Sequence, residues 1–449
     1  MIHIIGKLKF HILNNESNYR SILLGFISVS FFVFIGKIAG AGKEMAIAWR
    51  YGVSESVDAY VFIMNLITFP VSIWLSILTA VLVPLIGRAE KNNDEILLFR
   101  KQLFGLAICI GIGLGFIIWM VIPKLLLWDK FGFTEEATAK AVEIVNQIFI
   151  IVPLGVIINL FSVYLLAKGM HRNTLYEGVP ALVIFIALII PLEFKSEPLI
   201  WGTIAGFFLH LLVLGFSLWQ NKELQKPEIK FTSDLWKGFL NSIGIVVIGQ
   251  IFMSMTTIFD QFYAAQLEPG SLSIMSYANR ILALILGMGS LAISRSTLPV
   301  FSKMSQESYQ ARKQTAFNVA LVVFFIAIVL SIILYKLSPL IVKIIFERGA
   351  FKENNTIEVY EIFRYGLIQI PFYMSGIVLV SMLSANRKYR YIAFVSIFIA
   401  LIKFIVNQIL IDEFGVKGLY LSTSIMYAVS ATLCMFFIRK IKGDKVGTE

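Results

Sequence analysis

Six basic residues fall inside long apolar stretches of this 449-residue chain, where a charged side chain is costly unless it is paired or functional. They are Lys37, Lys43, Arg280, Arg295, Arg364 and Lys403. Three acidic residues share this setting: Glu44, Asp58 and Asp260. Fixed cations in a water-poor site suit an anionic substrate, because charge-assisted hydrogen bonds to phosphate are strong there. The acids could keep the cations ionised, or they could bind a coupling Na⁺ or H⁺.

Helical spacing places these charges on shared faces with other polar side chains. Lys37 and Glu44 lie seven residues apart, on one face of a helix. The polar candidates for lining the same cavity are Asn65, Gln250, Thr257 and Asn279. The alternative is that such groups pair with one another and hold helices together. Lys403 and Asn407, one turn apart, form either a second binding site or a structural contact.

Some of the cations have a structural alternative of their own. Lys43 could neutralise Glu44 or Asp58 instead of binding a ligand. Arg295 lies near the end of its apolar stretch, from which a long side chain can reach the interface. The candidates for holding an anion are therefore, in this order, Lys37, Arg280, Lys43 and Arg295.

The elements that position these residues are membrane-spanning helices. Hydrophobic residues make up 58% of the chain and charged residues 15%, with a mean hydropathy of +0.80. The apolar runs reach the roughly 20 residues that a helix needs to cross a bilayer, and they lack the alternation of a membrane β-barrel. We predict an all-α polytopic membrane protein with about twelve spans. They cover 21–49, 58–87, 102–123, 142–167, 176–192, 198–219, 235–266, 273–300, 315–337, 358–384, 390–411 and 416–438.

The distribution of basic residues predicts the orientation. One side of the predicted membrane carries 23 Lys and Arg residues near the span ends and the other carries 10. The richer side also carries both ends of the chain, so we expect both termini in the cytoplasm. Topology and anionic headgroups account for most of the net charge of +11, which therefore does not call for a nucleic-acid partner.

An internal repeat relates the two halves of the chain at an offset of 215–218 residues. It aligns Pro84 with Pro299 and Pro153 with Pro371. The offset spans an even number of helices, so the copies run in the same direction and are related by a pseudo-two-fold axis along the membrane normal. The predicted organisation is a cytoplasmic segment, an N-lobe of six helices, a cytoplasmic linker, a C-lobe of six helices and a cytoplasmic tail. Their bounds are 1–20, 21–219, 220–234, 235–438 and 439–449.

Three segments carry motifs in the order and register of a known family. They are "IGKIAGAGKEMAIAWRYGVSESVDAYVFIMNLITFP" (35–70), "GSLSIMSYANRILALILGMGSLAISRSTLPVFSKMS" (270–305) and "IIFERGAFKENN" (344–355). Their landmarks include the Tyr51-Gly52 turn, Asp58-Ala59-Tyr60 and Tyr277-Ala278-Asn279-Arg280. The chain resembles the MurJ/MviN-type lipid II flippases of the multidrug/oligosaccharidyl-lipid/polysaccharide exporter superfamily.

The resemblance implies a transporter of undecaprenyl-pyrophosphate-linked glycans. Such a flippase moves its substrate from the cytoplasmic to the outer leaflet of the bacterial inner membrane by alternating access through a central cationic cavity. By position, Lys37, Arg280 and Lys43 match basic sites for the pyrophosphate, and Asp58 matches the family's acid. We expect no cofactor beyond a coupling Na⁺ or H⁺ or the membrane potential. The expected partners are the lipid-linked glycan, membrane lipids and the glycan polymerase or glycosyltransferases that act before or after transport.

Three departures from the family pattern bear on the substrate. Segment 70–80 lacks the Arg-Arg pair and the Glu-Gly of the lipid II flippases, and Asn279 stands where the family has Asp. The chain also ends after the twelfth predicted span, without the family's last two helices. These departures favour a relative that flips lipid-linked O-antigen, capsule or exopolysaccharide repeat units over lipid II itself.

Two other classes compete with a flippase. A cation-coupled multidrug antiporter of the same superfamily would have a cavity dominated by acids, whereas here six bases outnumber three acids. An enzyme would need a catalytic loop, and the sequence has no metal-ligand cluster, nucleophile motif or Gly-rich phosphate loop. We therefore expect a transporter and not an enzyme.

Overall fold

A computed structural model describes residues 36–82, 93–128, 133–167, 176–190, 197–303, 309–386 and 388–441. Every regular element within these ranges is a helix, which confirms the all-α prediction. The predicted N-terminal segment 1–20 and residues 442–449 of the predicted tail lie outside the described residues. The first helix, α1, covers 36–51 in its described part. The others are α2 Glu55–Ile77 (continued by a π turn, Leu78–Leu82), α3 Asn93–Leu126, α4 Glu135–Ile148, α5 Ile151–Ala167, α6 Val179–Ile189, α7 Pro198–Gln220, α8 Leu235–Ala265, α9 Ser271–Lys303, α10 Tyr309–Phe346, α11 Glu353–Leu367, α12 Gln369–Ala385, α13 Tyr389–Phe414 and α14 Val416–Lys440.

Within the described residues the predicted spans lie in helices, with two interruptions. The predicted span 142–167 consists of α4 and α5, which meet at an angle of 51°. The predicted span 358–384 consists of α11 and α12, which are separated at Ile368. Among the described residues, eight helical segments are long and apolar enough to cross a membrane when α11 and α12 count as one, or nine if α4 and α5 also form one span. The count of twelve spans therefore stays a prediction.

The chain forms two compact units that differ from its two sequence halves. Unit 1 contains residues 1–46, 70–119 and 146–244, and unit 2 contains residues 47–69, 120–145 and 245–449. The helix α2 passes from one unit to the other at Pro70, where a helix lacks one backbone hydrogen bond. The predicted lobe boundaries at 219 and 235 remain a prediction.

Unit 1 packs α5 against α7, and α7 against α6. Indole Nε1 of Trp74 donates to the carbonyl oxygen of Val156 at 3.1 Å, and Asn159 Nδ2 donates to that of Val71 at 2.8 Å. These bonds cover two backbone carbonyl groups that would otherwise be costly to bury in an apolar setting. They hold the last two turns of α2 on α5.

The linker 220–234 is fastened along α3. Gln102 Oε1 accepts hydrogen bonds from the backbone N–H groups of Thr232 and Ser233, both at 3.2 Å, and from Trp236 Nε1 at 2.7 Å. Gln102 Nε2 donates to the Thr232 hydroxyl at 2.6 Å. One buried side chain therefore fixes the end of the linker and the start of α8.

Unit 2 is built around α12. Its buried residues Val378, Leu379 and Met382 form a core with side chains of α10, α13 and α14. The helix α9 also packs against α12, and α11 against both α9 and α10. This frame positions α9, which carries Arg280 and Arg295, and α13, which carries Lys403.

Candidate functional site

The first pair of candidates lies on α1. Lys43 Nζ is 2.8 Å from a carboxylate oxygen of Glu44, and both side chains are largely buried. The structure thus shows the arrangement in which Lys43 neutralises Glu44. Lys37, two turns earlier, is exposed and interacts electrostatically with Glu177. All four residues belong to unit 1.

The carboxylate of Asp58, near the start of α2, holds the first turn of α9. Its two oxygens accept hydrogen bonds from the backbone N–H groups of Gly270 and Ser273, both at 2.6 Å. The hydroxyl of Ser273 also donates to it. An anionic group at a helix N-terminus satisfies free N–H groups and interacts favourably with the helix dipole. Asp58 is therefore a capping residue supplied by another helix, and its side chain is buried.

The three sequence motifs meet beside this cap. The Tyr277 hydroxyl donates to the carbonyl oxygen of Gly52 at 2.8 Å, and its ring packs on Phe351 with centroids 5.3 Å apart. The backbone N–H of Ala350 donates to the carbonyl oxygen of Trp49 at 2.8 Å. Gly52 has a φ of +61°, and a β-carbon there would lie 2.7 Å from the carbonyl oxygen of Ala350. Only glycine fits such a position without displacing its neighbour.

We call these contacts of residues 49–58, 270–277 and 349–351 the motif cluster. It lies entirely within unit 2 and joins segments from both sequence halves. The residues that make the sequence resemble a transporter family are therefore also the residues that bind these segments together.

A second cluster surrounds Lys403, which is 2% exposed in the middle of α13. Its Nζ lies 2.9 Å from one carboxylate oxygen of Asp260 and also donates to the hydroxyl of Thr423. Asn407 Nδ2 donates to the other oxygen of Asp260 at 2.9 Å. The Oδ1 atom of Asn407 is buried without a hydrogen-bond partner among the described residues. We call these four residues the Lys403 cluster.

The Lys403 cluster changes the interpretation of two predictions. Lys403 and Asn407, which the sequence left open as a second site or a structural contact, both bond to the carboxylate of Asp260. Asp260, one of the three acids considered for a coupling ion, is thus already balanced by an ammonium group of the protein itself. This arrangement satisfies the usual requirement that a charge inside a membrane has a partner.

The remaining candidates occupy varied environments. Arg280 and Thr257 are exposed and Asn65 is half-buried. Asn279 Oδ1 accepts a hydrogen bond from the Tyr420 hydroxyl at 2.8 Å, so this side chain takes part in packing within unit 2. The side chains of Gln250 and Arg295 lie outside the described residues.

One buried charge escaped the sequence analysis. Arg100 forms an ion pair with Glu223, and its guanidinium carbon lies 4.4 Å from the ring centroid of Tyr164. Its backbone carbonyl oxygen accepts the Tyr164 hydroxyl at 3.0 Å. Arg100 is one of the 23 basic residues that the sequence places on the cytoplasmic side, and nothing near it in the sequence indicates a partner 123 residues away. It fastens the start of the linker, as Gln102 fastens its end.

Comparison with known proteins identifies the family. The family model described as "Lipid II flippase MurJ" matches residues 47–447. The chain belongs to the MurJ lipid II flippase family. A relative named "Probable lipid II flippase MurJ" from Buchnera aphidicola subsp. Baizongia pistaciae is 26% identical over 422 residues, which cover 90% of this chain and 81% of the relative. One with the same name from Thermotoga maritima is 22% identical over 415 residues, which cover 89% and 82%.

Two solved structures share the fold. "Lipid II flippase MurJ, inward closed conformation" superposes with a TM-score of 0.80 at 19% identity and covers 92% of this chain and 87% of its own. An inward-facing multidrug resistance MATE family transporter of the MOP superfamily gives a TM-score of 0.74 at 14% identity and covers 90% and 93%. These matches confirm the fold predicted from the sequence. Both relatives described above are named for lipid II and not for a polysaccharide repeat unit, so the expectation of an O-antigen-type substrate gains no support from them.

Proposed function

We propose that this protein translocates an undecaprenyl-pyrophosphate-linked glycan of the lipid II type across the cytoplasmic membrane. The observation that carries the proposal is the match of the MurJ family model to residues 47–447. We infer that the protein moves its substrate without making or breaking covalent bonds, as a transporter and not as an enzyme. The preference for O-antigen or polysaccharide repeat units becomes the second candidate, supported only by the departures of segment 70–80 and Asn279.

Lys37 and Arg280 are the residues that we propose for contacting the pyrophosphate, because by position they match basic sites of the family in the sequence. Both side chains are exposed in the structure although both lie within predicted spans. Lys43 plays a supporting part, because its charge is already shared with Glu44. Arginine binds phosphate through paired hydrogen bonds and lysine binds it as a point charge, so either residue type suits an anionic diphosphate.

Alternating access requires contacts that form and break during the cycle. We propose that the motif cluster is such a contact, because Asp58, Tyr277 and Ala350 join distant parts of the chain through hydrogen bonds and glycine turns. A few such bonds are each worth about 1 kcal/mol, which a bound substrate can supply or withdraw. The Lys403 cluster is buried and internally balanced, and we assign it a structural role within unit 2.

Complementation tests the proposal. The gene is expressed in a bacterium depleted of its own lipid II flippase and, in parallel, in one lacking its O-antigen flippase. Rescue of the first strain by the wild type supports the lipid II proposal, and rescue of the second strain alone would assign the protein to repeat units. Lys37→Ala and Arg280→Ala should fail to rescue while reaching the membrane in normal amounts.

Matched controls separate substrate binding from loss of charge. Lys237→Ala and Arg390→Ala remove the same charges from other exposed positions and should rescue like the wild type. Full rescue by both Lys37→Ala and Arg280→Ala would refute the assignment of these cations to the substrate.

A further inference from the structure

A groove of about 670 Å³ lies on unit 2 among α10, α11, α12 and α14. Its walls are mainly apolar and include Phe324, Ile328, Ile332, Ile368, Pro371 and Phe372. The rings of Phe324 and Phe372 meet edge to face with centroids 5.4 Å apart. Such a surface fits a hydrocarbon chain.

One end of the groove carries Arg364, whose guanidinium is held in a fixed position. Its Nε donates to the Ser338 hydroxyl at 2.8 Å. The guanidinium carbon lies 4.5 Å from the ring centroid of Tyr335 and 4.6 Å from that of Tyr360. Stacking between two aromatic rings suits arginine and removes the entropy cost of ordering it when a ligand arrives.

The two terminal nitrogens of Arg364 have no hydrogen-bond or carboxylate partner within the described residues. The nearby acid Glu361 is engaged by Lys417, at 2.8 Å. Lys336 also lines the groove and forms no ion pair in the part of the chain that the structure describes. The groove therefore combines an apolar floor with an excess of positive charge at one end.

The dimensions match one leaflet of a bilayer. Between Phe324 and Lys336 the helix α10 rises about 18 Å at 1.5 Å per residue, close to half of a hydrocarbon core of roughly 30 Å. The flank of α10 beside the groove exposes Phe325, Val329 and Ile333, as a helix facing lipid does. A ligand can therefore enter sideways from the membrane, with its phosphate at the headgroup level.

We propose that this groove binds one anionic phospholipid of the surrounding membrane. The phosphate is held by the terminal nitrogens of Arg364 and by Lys336, and one acyl chain lies along the floor between Phe324 and Phe372. The site is separate from Lys37 and Arg280, so it stands or falls independently of the proposed transport function.

Native mass spectrometry of the full-length protein in detergent tests the site with phosphatidylglycerol as the probe. The wild type should bind it more tightly than phosphatidylcholine, and Arg364→Gln should weaken the binding about tenfold, as expected for the loss of charge-assisted bonds. The control is Lys343→Gln. It removes one charge from α10, seven residues after Lys336 and outside the groove, and should bind phosphatidylglycerol like the wild type. Equal binding by Arg364→Gln and Lys343→Gln would overturn the proposal.

A second variant keeps the test valid if Arg364→Gln folds poorly. Ile328→Trp leaves the guanidinium of Arg364 in place and fills the apolar floor of the groove, so it should also lower binding of phosphatidylglycerol.

Two competition results would contradict the assignment of the groove to a phospholipid. Displacement of the lipid by inorganic phosphate would mean that the acyl chain contributes nothing, and tighter binding of undecaprenyl phosphate would mean that the occupant is a prenyl carrier.

Discussion

Removing the ammonium group of Lys403 should destabilise unit 2 through the carboxylate it leaves behind. In Lys403→Met, Asp260 keeps its bond from Asn407 but loses its counter-charge at 2.9 Å. Breaking a buried ion pair from one side costs about 3–5 kcal/mol. The side chain of Asp260 is 20% exposed, so we expect the lower end, about 3 kcal/mol.

The double variant Lys403→Met with Asp260→Asn separates this cost from the loss of packing. It removes both charges, and replacing a whole buried pair by neutral groups is often close to neutral. The double variant should therefore recover most of the free energy of unfolding, about 3 kcal/mol, that Lys403→Met loses. Thermal unfolding of the purified protein in one detergent, followed for all variants at one pH, gives the order of stabilities.

The control is Lys417→Met, which breaks the half-exposed pair with Glu361. Exposed pairs contribute less than about 1 kcal/mol, so this variant should melt close to the wild type. The reasoning would be refuted if Lys403→Met melted like Lys417→Met, or if the double variant were no more stable than Lys403→Met.

Three further predictions concern hydrogen bonds at Asp58 and Gln102 and the ion pair at Lys403. Asp58→Asn should lower the melting temperature, because one amide oxygen replaces the two carboxylate oxygens that now serve Gly270 and Ser273, at a cost of about 1–3 kcal/mol; an unchanged melting temperature would exclude a capping role. Gln102→Leu should cost about 2–4 kcal/mol, because four bonds are lost, and limited proteolysis should then cut the linker 220–234 faster than in the wild type. Replacing Na⁺ by choline should leave transport by the wild type unchanged, because the ammonium of Lys403 already balances the carboxylate beside it; a strict Na⁺ requirement in vesicles would show otherwise.

The helices were largely predictable because a bilayer demands long apolar segments with internally bonded backbones. The interruptions were harder, since a continuous apolar run reads the same whether straight or bent. A signal was nevertheless present in Pro153 and Pro371, which the repeat aligns. Both lie in the first turn of the second helix of a divided span, where a proline costs no hydrogen bond.

The polar contacts were predictable in kind but not in detail. The rule that a charge inside a membrane needs a partner singled out Lys43, Lys403 and Asp260, and each has one in the structure. The sequence could not pair Asp260 with Lys403, because the contact depends on how α8 packs against α13. The sequence identified Asp58 as an acid of the predicted site, but it could not show that the two carboxylate oxygens of Asp58 cap the start of α9.

The most direct test of the central claim is translocation of fluorescent lipid II by the purified protein in proteoliposomes. The label on the inner leaflet is protected from a membrane-impermeant quencher until the lipid is flipped. We predict that the wild type and Lys237→Ala expose the label equally fast. The rate for Lys37→Ala and for Arg280→Ala should fall to that of vesicles that contain the labelled lipid but no protein. The account would be contradicted if the wild type left lipid II in place, or if Lys37→Ala and Arg280→Ala both moved it at the wild-type rate.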